Sequence, residues 1–212
     1  GAGLSMFDPG LIDMVMRLRG KGISDNNVLR AVEQTPRIRF VGEGNAEKAY
    51  DEQKLPISCG QTISAPWVTA LMIQMLRVSK GHKVLEIGSG SGYQTAILAR
   101  LCRRVYAVER YKQLISEAET RFKNLDVRNT VIRHGDGRYG WAGQAPFERI
   151  ILGCATRAAP PMLLEQLAPG GEMIAVVDEQ LMRYTKARSV VSEETLMPLK
   201  LDMIEPGKSR TL

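Results

Sequence analysis

The chain has few of the side chains from which metal centres and disulfide frameworks are built. Among its 212 residues are two histidines and three widely spaced cysteines, Cys59, Cys102 and Cys154. So few ligands cannot be assembled into a zinc-type site, and an odd number of scattered cysteines is typical of a reduced compartment. We therefore expect no bound metal and a cytoplasmic location.

The sequence also lacks a long apolar run and a concentrated basic segment. No stretch approaches the roughly twenty apolar residues that a membrane-spanning helix needs, and no secretory signal peptide is visible. The net charge of +6 arises from 29 basic and 23 acidic residues, and the excess is spread along the chain without an arginine-rich stripe. We expect a monomer with neither a membrane nor a nucleic-acid partner.

A short apolar run followed by a glycine-rich turn is the most informative feature that is present. The run 83–87 predicts a buried strand, Gly88, Gly90 and Gly92 alternate in the turn, and a helical pattern begins at Tyr93. Glycines let a ligand lie close to the backbone, and the start of a helix offers free N–H groups. The segment therefore predicts a cradle for a nucleotide-type ligand.

The spacing of this turn differs from the dinucleotide fingerprint. That fingerprint is G-x-G-x-x-G, whereas here Glu86 precedes glycines spaced G-x-G-x-G. A carboxylate two residues before the first glycine would repel a pyrophosphate, and it suits a ligand that carries a cationic amine and a sulfonium. The pattern indicates S-adenosylmethionine. The alternative, from this segment alone, is a glycine-rich turn that binds nothing.

Two more acidic residues follow predicted strands at corresponding positions. Glu109 ends the apolar run 105–108, twenty-one positions after Gly88, where a carboxylate can accept hydrogen bonds from both ribose hydroxyls. Asp136 follows the next apolar run, where it could meet an adenine amino group. An ordinary surface residue and an ordinary Asp-Gly turn are the alternatives at these two positions. Three acidic strand ends in register favour a cofactor site.

Hydrophobic periodicity divides the chain near residue 80. Before this point it predicts helices that begin at Asp8-Pro9 and at Ser24-Asp25, and a third over 65–76. Beyond it, strands alternate with helices, which argues for a mostly parallel sheet covered on both faces. The predicted elements are strands 83–87, 104–108, 130–134, 147–152 and 172–177, helices 93–102, 111–124 and 161–168, and a closing antiparallel pair near 181–191 and 194–204. We expect a helical cap over 1–80 and an α/β domain over 81–212, forming one compact unit.

The segment 55–66, with the run Gly-Gln-Thr-Ile-Ser at 60–64, closely resembles the substrate loop of protein-L-isoaspartate (D-aspartate) O-methyltransferases. In that family the run G-Q-T-I-S-x-P stands just ahead of a helix, as it is predicted to do here. The resemblance continues through 86–94, 105–110, 135–138, 145–150 and 163–171. It covers most of the chain, about residues 10–177.

The resemblance implies the Rossmann-like fold of class I S-adenosylmethionine-dependent methyltransferases, with N-terminal helices forming a wall of the substrate site. It implies methyl esterification of the α-carboxylate of L-isoaspartyl residues in damaged proteins and peptides, with S-adenosyl-L-homocysteine as the product. Such a carboxylate is already ionised at neutral pH and needs no general base, so catalysis is mainly proximity and orientation. A site without a histidine or a cysteine nucleophile fits this chemistry.

The resemblance also implies roles for individual residues. Ser64 is expected to be catalytic, because its hydroxyl would hydrogen-bond the reacting carboxylate and hold one oxygen facing the methyl group. A plain helix N-cap is the alternative for the same side chain. Expected substrate-binding residues are Thr62, Ile63, Trp67 and Gln180. Expected cofactor-binding residues are Glu86, Gly88, Ser89, Gly90, Ser91 and Gly92 for the methionine end, Glu109 and Arg110 near the ribose, and Asp136 and Gly137 for the adenine.

The chain departs from the family pattern on the substrate side. Trp67 stands where the family usually has His or Tyr, and Gly42 replaces the proline of F-V-P. The stretch 176–180 replaces a V-x-G…Q pattern, so that only Gln180 carries over, and 201–207 replaces the usual R-F-V-P-L ending. Two alternatives therefore stay open. One is a paralogue that methylates another carboxylate or a small molecule, and the other is a cofactor-binding protein without turnover.

Overall fold

A seven-stranded sheet with helices on both faces is the centre of the computed structural model, which describes residues 8–209. The helices are α1 (Pro9–Gly20), α2 (Asn26–Glu33), α3 (Pro66–Leu76), α4 (Tyr93–Ala99), α5 (Lys112–Asn124) and α6 (Pro161–Glu165). The strands are β1 (Leu55–Pro56), β2 (Thr62–Ile63), β3 (Lys83–Ile87), β4 (Arg104–Glu109), β5 (Thr130–His134), β6 (Phe147–Thr156), β7 (Leu167–Val177), β8 (Gln180–Ala187) and β9 (Val190–Pro198). The order in the sheet is β5-β4-β3-β6-β7-β8-β9, and β1 and β2 form a separate ribbon.

Only β8 runs against the other strands of the sheet. Neighbours from β5 to β7 run parallel, whereas β8 is antiparallel to β7 and β9 is antiparallel to β8. The predicted parallel sheet with a closing antiparallel pair is confirmed. The bounds of this pair differ from the predicted 181–191 and 194–204: β8 covers Gln180–Ala187, and β9 covers Val190–Pro198. Its partner β8 begins at Gln180, which pairs with Pro198, so no ladder is available beyond this point.

The last helix is shorter than its predicted range of 161–168. It ends at Glu165, because Leu167 already pairs with Phe147 in the sheet. The backbone N–H of Phe147 donates to the carbonyl oxygen of Gln166 at 2.9 Å. Residues 167 and 168, which the helical pattern included, therefore belong to the following strand, β7.

Successive residues of the central strands enter apolar clusters on opposite faces of the sheet. Val84 and Ile151 belong to the larger cluster, while their neighbours Leu85 and Ile150 belong to the smaller one, and all four are fully buried. This alternation is the period of two that a strand imposes. The larger cluster also holds side chains of α1 to α5 and the smaller holds Leu163 of α6, so both faces are covered.

Short acidic side chains begin the first two helices, as predicted. Asp8 accepts a hydrogen bond from the backbone N–H of Gly10 at 3.0 Å, with Pro9 at the first helical position. Asp25 accepts from the N–H groups of Asn27 and Val28. Such caps satisfy N–H groups that have no partner within the helix. Within residues 8–209, no helix is long and apolar enough to cross a membrane.

A buried arginine holds the irregular connection between α2 and α3. Arg37 is 0% exposed. Its guanidinium donates to the carbonyl oxygens of Ala49 at 2.8 Å, Gln53 at 2.9 Å and Ser64 at 3.1 Å. These carbonyl groups replace the water that the charge loses on burial. The connection 41–65 is therefore ordered around one cation, although it contains little regular structure.

We predict that Arg37→Leu strongly destabilises the protein. Hydrogen bonds to a charged group contribute about 1.5–3 kcal/mol each, and the carbonyl oxygens would be left without their donor. The free energy of unfolding, measured by urea denaturation, should fall by several kcal/mol. Arg39→Leu in the same turn is the control, because Arg39 is exposed. Equal stability of the two variants would show that the buried guanidinium does not hold the connection.

Candidate cofactor and substrate site

The glycine-rich turn lies where β3 ends and α4 begins. Gly88 and Gly90 have positive φ angles of 79° and 54°, which side chains rarely adopt. A β-carbon at Gly88 would have only the Cys154 Sγ within 4 Å, at 3.8 Å, and one at Gly90 only the Ile57 Cδ1, at 3.7 Å. The backbone at these two glycines therefore faces open space. This is the form that a cradle for a ligand requires.

The third glycine of the turn has a different environment. Gly92, at the N-cap of α4, has a φ of 91°. A β-carbon there would lie 2.9 Å from the Phe122 ring and 3.0 Å from the Ala118 Cβ. Gly92 thus allows α4 to approach α5, and its assignment to the cofactor stays a prediction.

Two cavities adjoin the turn and share Gly88. The first, called here the loop cavity, is lined by Thr62, Ile63 and Ser64 of the substrate loop, by Val68, Thr69 and Met72 of α3, by Gly88, Ser89, Gly90, Ser91, Tyr93 and Gln94 of the turn and α4, and by Gly153 and Leu201. The second, called the strand-end cavity, is lined by Gln61, Ile87, Gly88, Val108, Glu109, Arg110, Tyr111, Gly137, Cys154, Met203, Ile204 and Glu205. The turn therefore lies between one cavity facing the substrate loop and another facing the ends of the strands.

Ser89 carries an unpaired hydroxyl in the wall of the loop cavity. The residue is 4% exposed, and its Oγ has no hydrogen-bond partner among the described residues. Most buried polar atoms in proteins do have a partner. An unpaired hydroxyl beside an open backbone cradle is available to a ligand, and the assignment of Ser89 to the cofactor stays a prediction.

Glu86 lies beneath the turn and is fully buried. Its carboxylate accepts hydrogen bonds from the Thr95 hydroxyl and, at 3.0 Å, from the Gln94 side-chain amide. Burial raises the pKa of Glu86 to about 7, although these hydrogen bonds act in the opposite direction. Glu86 is absent from the lining of both cavities, whereas Gln94 lines the loop cavity. In this structure Glu86 positions Gln94, and its direct contact with a cofactor stays a prediction.

Glu109 ties the glycine turn to the neighbouring strand. One carboxylate oxygen accepts from the backbone N–H of Gly90 at 2.9 Å, and the other accepts from the N–H of Tyr111 at 2.9 Å. The residue is 5% exposed, and burial raises the pKa of its carboxyl group. Glu109 and the adjacent Arg110 both line the strand-end cavity. The structure thus brings Glu109 to the cavity edge and also gives it a structural role.

Asp136 organises the turn that follows β5. Its Oδ1 accepts from the backbone N–H of Arg138 at 3.0 Å, and its Oδ2 lies 2.7 Å from the Arg138 guanidinium. The hydrogen bonds from the Arg138 side chain are the main reason that the pKa of Asp136 is lowered. Gly137 lines the strand-end cavity, whereas Asp136 does not. The local geometry of Asp136 is that of an ordinary Asp-Gly turn, and its contact with an adenine stays a prediction.

The substrate loop presents Ser64 to the loop cavity. Thr62 and Ile63 form β2 and pair with β1, so that Ser64 follows directly on an ordered ribbon. The N-cap of α3 is Ala65, and no side chain caps this end of the helix from within the turn. The alternative of Ser64 as a helix cap is therefore wrong. Instead, the carboxylate of Glu52 accepts from the backbone N–H of Trp67 at 3.0 Å.

Two expected substrate residues lie outside the lining of both cavities. The indole N–H of Trp67 donates to the carbonyl oxygen of Lys21 at 3.1 Å, at the end of α1. Gln180 begins β8, where it pairs with Val177 across a tight hairpin and with Pro198 on the other side. The structure does not bring these two side chains to the cavities, and their substrate contacts stay predictions.

Several cavity residues were not anticipated from the sequence. Gln94, Tyr111 and Cys154 line the cavities, as do residues 203–205. Gln94 stands beside the glycine turn, and Tyr111 stands two positions after Glu109. Their closeness in sequence to these motifs could have indicated that both residues line the site. The C-terminal residues gave no signal, because their sequence departs from the family pattern.

We predict that Gly92→Ala destabilises the protein by about 1–3 kcal/mol, the usual cost of forcing extra volume into a packed core. Chemical denaturation measures the change. Gly22→Ala is the matched control, because Gly22 has a similar φ of 96° but nothing within 4 Å of a β-carbon. Both variants share the backbone strain, so the difference between them isolates the contact with Phe122. Equal destabilisation would contradict the packing role.

We also predict that Glu86→Gln changes the pH dependence of stability. The folded pKa of Glu86, about 7, lies above its ordinary value of 4.5, so the wild-type protein loses stability as pH rises between these values. Glutamine has no proton to lose. Each pKa unit corresponds to about 1.4 kcal/mol, so the variant should gain about 3 kcal/mol relative to wild type between pH 4.5 and pH 8. Urea denaturation at both pH values measures this, with the exposed Glu119→Gln as control. A stability difference that is independent of pH would contradict the prediction.

Comparison with known proteins places the chain in a family. The model of the protein-L-isoaspartate (D-aspartate) O-methyltransferase family, PCMT, matches residues 12–200. A protein-L-isoaspartate O-methyltransferase of Maricaulis maris is 48% identical to this chain, and the match covers 99% of this chain and 100% of the relative's length. The enzyme of the same name from Rhodospirillum rubrum is 51% identical to this chain, and the match covers 92% of this chain and 93% of the relative's length.

Solved structures share the same fold. One is a Plasmodium falciparum protein described as a protein-L-isoaspartate O-methyltransferase and crystallised with S-adenosyl-L-homocysteine. Its TM-score to this chain is 0.82 and its sequence identity is 24%, and the match covers 92% of this chain and 98% of the other chain. A second structure of that enzyme name has a TM-score of 0.82 and 22% identity, over 92% of this chain and 65% of its own. The predicted Rossmann-like methyltransferase fold is confirmed. The chain belongs to the protein-L-isoaspartate (D-aspartate) O-methyltransferase family.

Proposed function

We propose that this chain transfers a methyl group from S-adenosylmethionine to the α-carboxylate of L-isoaspartyl residues in damaged proteins and peptides. The observation that carries the proposal is the loop cavity, where Ser64 of the substrate loop and the turn 88–92 line one space. These two motifs are separated in sequence and meet only in the fold. Membership of the family and the names of the relatives support the same activity.

The residues of the site fit the proposed cofactor. Gly88 and Gly90 leave open space above their backbone, and the unpaired Ser89 hydroxyl offers a hydrogen bond. Glu109 and Gly137 line the adjoining strand-end cavity, whose walls also include the apolar side chains of Ile87 and Val108. We infer that the turn holds the methionine end and the strand-end cavity holds the adenosine. When bound, S-adenosylmethionine supplies an electrophilic methyl group on a sulfonium.

The work of the protein is then to orient a nucleophile that is already charged. The isoaspartyl α-carboxylate has a pKa of about 3.5, so at neutral pH it is ionised and no side chain has to remove a proton. Ser64 donates a hydrogen bond to one carboxylate oxygen and holds the other toward the methyl group. Ile63, Met72 and Leu201 line the same cavity with apolar surface.

The position of Ser64 is fixed from outside the cavity. Its carbonyl oxygen accepts a hydrogen bond from the buried guanidinium of Arg37 at 3.1 Å. Its backbone follows the β1–β2 ribbon and precedes α3. An orienting group contributes to rate only when its own position is held, because misplacement of about 1 Å costs up to a hundredfold in rate. Arg37 therefore acts as a positioning residue for Ser64.

The departure at Trp67 lies outside the lining of the loop cavity. The Trp67 side chain is directed to the carbonyl oxygen of Lys21 and is absent from the lining of the loop cavity. The proposed cytoplasmic location rests on the number and spacing of the cysteines, and a monomeric state is likewise a proposal.

We predict that Ser64→Ala lowers the rate of methyl transfer to an isoaspartyl peptide by about ten- to a hundredfold. One orienting hydrogen bond to a charged group is worth about 1.5–3 kcal/mol, and the carboxylate remains a competent nucleophile without it. Affinity for S-adenosyl-L-homocysteine and the melting temperature should change little, because Ser64 does not cap α3. Labelled methyl transfer in single turnovers measures the rate.

Two controls accompany that measurement. The normal aspartyl isomer of the peptide should not be methylated by either protein, and Ser192→Ala on the exposed face of β9 should keep the wild-type rate. A Ser64→Ala variant with the full single-turnover rate would end the catalytic assignment. A wild-type protein that binds the cofactor product but ignores isoaspartyl peptides would favour a different methyl acceptor.

We predict that Gly90→Val abolishes binding of S-adenosyl-L-homocysteine. The added side chain would fill the open space above the turn. Isothermal titration calorimetry measures the dissociation constant. Gly170→Val is the control, because Gly170 also has a positive φ, 79°, and lies near the start of β7 with nothing within 4 Å of a β-carbon. Undiminished affinity in Gly90→Val would refute the place of the cofactor.

A further inference from the structure

A further cavity lies at the amino ends of the parallel strands, on the edge of the sheet opposite the glycine turn. Its volume is about 530 Å³, and it is lined by the first residues of β3 and β4 and by the residue before β5. It is called here the amino-edge cavity. Strand β3 has five residues, so roughly 16 Å along the strand separates this cavity from Gly88. It shares no lining residue with the loop cavity or the strand-end cavity.

The lining of the amino-edge cavity is strongly basic. It contains Lys83, Arg103, Arg104 and Arg128, and among its described residues Glu148 alone is acidic. Basic residues are spread along the sequence, so this concentration arises from the fold. The parallel pairing of β3, β4 and β5 brings the three segments that carry these cations to one edge of the sheet.

Two of these cations lie side by side. Lys83 and Arg104 are paired in the register of β3 and β4, and neighbouring strands are about 4.8 Å apart. Both side chains reach the Tyr106 ring, whose centroid lies 5.1 Å from the Lys83 ammonium and 5.4 Å from the Arg104 guanidinium carbon. Like charges held this close repel each other, and a cation–π contact at an exposed site offsets the repulsion only in part.

The cations of β3 and β4 have no carboxylate partner. Within residues 8–209, neither Arg103 nor Arg104 forms an ion pair or donates a side-chain hydrogen bond. The Lys83 ammonium donates to the carbonyl oxygen of Gln144, which carries no net charge. The repulsion between these groups is therefore not balanced by their own contacts.

Two acidic groups at the amino-edge cavity balance only part of its charge. The Asp126 carboxylate lies 2.6 Å from the Arg128 guanidinium, in a pair whose side chains are 74% and 86% exposed. The Glu148 carboxylate accepts a hydrogen bond from the backbone N–H of Lys83 at 3.2 Å. Four cations thus face two carboxylates, which leaves a net charge of +2. An anion bound between the cations would remove the repulsion.

The chemistry of the amino-edge cavity favours phosphate groups. Guanidinium groups bind phosphate oxygens through two parallel hydrogen bonds, and an ammonium group binds phosphate as a point charge. A cavity of this volume is in the range of small-molecule sites. A nucleic-acid site, by contrast, is a basic patch or stripe that extends along a face of the protein. A short chain of phosphate groups therefore fits better than a nucleic-acid backbone.

We propose that the amino-edge cavity binds a small anion that carries several phosphate groups, with Lys83, Arg103 and Arg104 as its main contacts. Inorganic polyphosphate and the phosphate chain of a nucleotide share this chemistry. The inference does not depend on the proposed function, since the cavity lies at the other edge of the sheet from the glycine turn and Ser64. It gives the chain a second binding site.

The test titrates tripolyphosphate into the full-length protein at low ionic strength, by isothermal titration calorimetry. The double variant Arg103→Gln/Arg104→Gln should bind about tenfold more weakly than wild type, as expected for the loss of two exposed charge pairs. The double variant Arg30→Gln/Arg39→Gln is the matched control, because it removes the same charge from exposed arginines outside the cavity. It should keep the wild-type affinity.

Folding of the test variant is checked by its melting temperature. Arg103→Gln/Arg104→Gln should melt at or above the wild-type temperature at low ionic strength, because it removes a cation that is repelled by Lys83. A large fall would assign the two arginines to stability and overturn their role as free ligand contacts.

Two further measurements locate the ligand and identify its source. Changes in backbone amide chemical shifts on adding tripolyphosphate should centre on residues 83, 103–104 and 129. Uridine triphosphate provides the nucleotide arm, because it carries a triphosphate without an adenine. Affinity equal to that of tripolyphosphate would show that the phosphate chain alone is recognised, and higher affinity would assign the site to a nucleotide.

Other outcomes overturn the proposal. Equal weakening in both double variants would show a general effect of net charge, and shift changes centred elsewhere would place the anion outside the amino-edge cavity. A hexaglutamate peptide that binds as tightly as tripolyphosphate, with the same dependence on Arg103 and Arg104, would overturn the assignment to phosphate. Duplex DNA that displaces tripolyphosphate and binds more tightly would replace the small anion with a nucleic acid.

Discussion

The hydrogen bond between the Gly90 N–H and the Glu109 carboxylate joins the two halves of the site. It is possible because β3 and β4 are paired in parallel and the Gly88 N–H donates to the Val108 carbonyl oxygen at 2.8 Å, which brings the end of β4 beside the turn. The other carboxylate oxygen is held by Tyr111 N–H, so the carboxylate cannot move independently of the backbone. The open faces of the turn and both cavities depend on this fixed arrangement.

Burial of the acidic groups around the turn changes their pKa values, and these determine the charge next to a bound ligand. Glu86 and Glu109 are both nearly inaccessible to water, burial raises the pKa of each, and the charge of Glu109 contributes to the raised pKa of Glu86. A pyrophosphate beside these groups would raise their pKa values further, whereas a cation would favour their ionised forms. The structure therefore agrees with the preference for a sulfonium ligand that follows from the G-x-G-x-G spacing.

The substrate side is organised by different interactions from the cofactor side. Arg37 fixes the loop through carbonyl oxygens, including that of Ser64, and Asp202 holds the side chain of Thr62 from the C-terminal segment. The loop itself contributes only the short β1–β2 ribbon. The C-terminal segment links the loop to the strand-end cavity, because Asp202 contacts Thr62 and residues 203–205 line that cavity.

The sequence by itself determined the elements whose signals are local. Strand 83–87, helix α1 with its Asp8 cap and the alternating glycines each follow from periodicity, capping and backbone freedom within a few residues. Other features depend on partners that are far away in sequence. Only the tertiary structure gave Gly92 a packing role against Phe122, denied Ser64 a capping role and placed Glu205 over the strand-end cavity. Packing decides these contacts, and no local pattern encodes which distant side chain will occupy the space beside a residue.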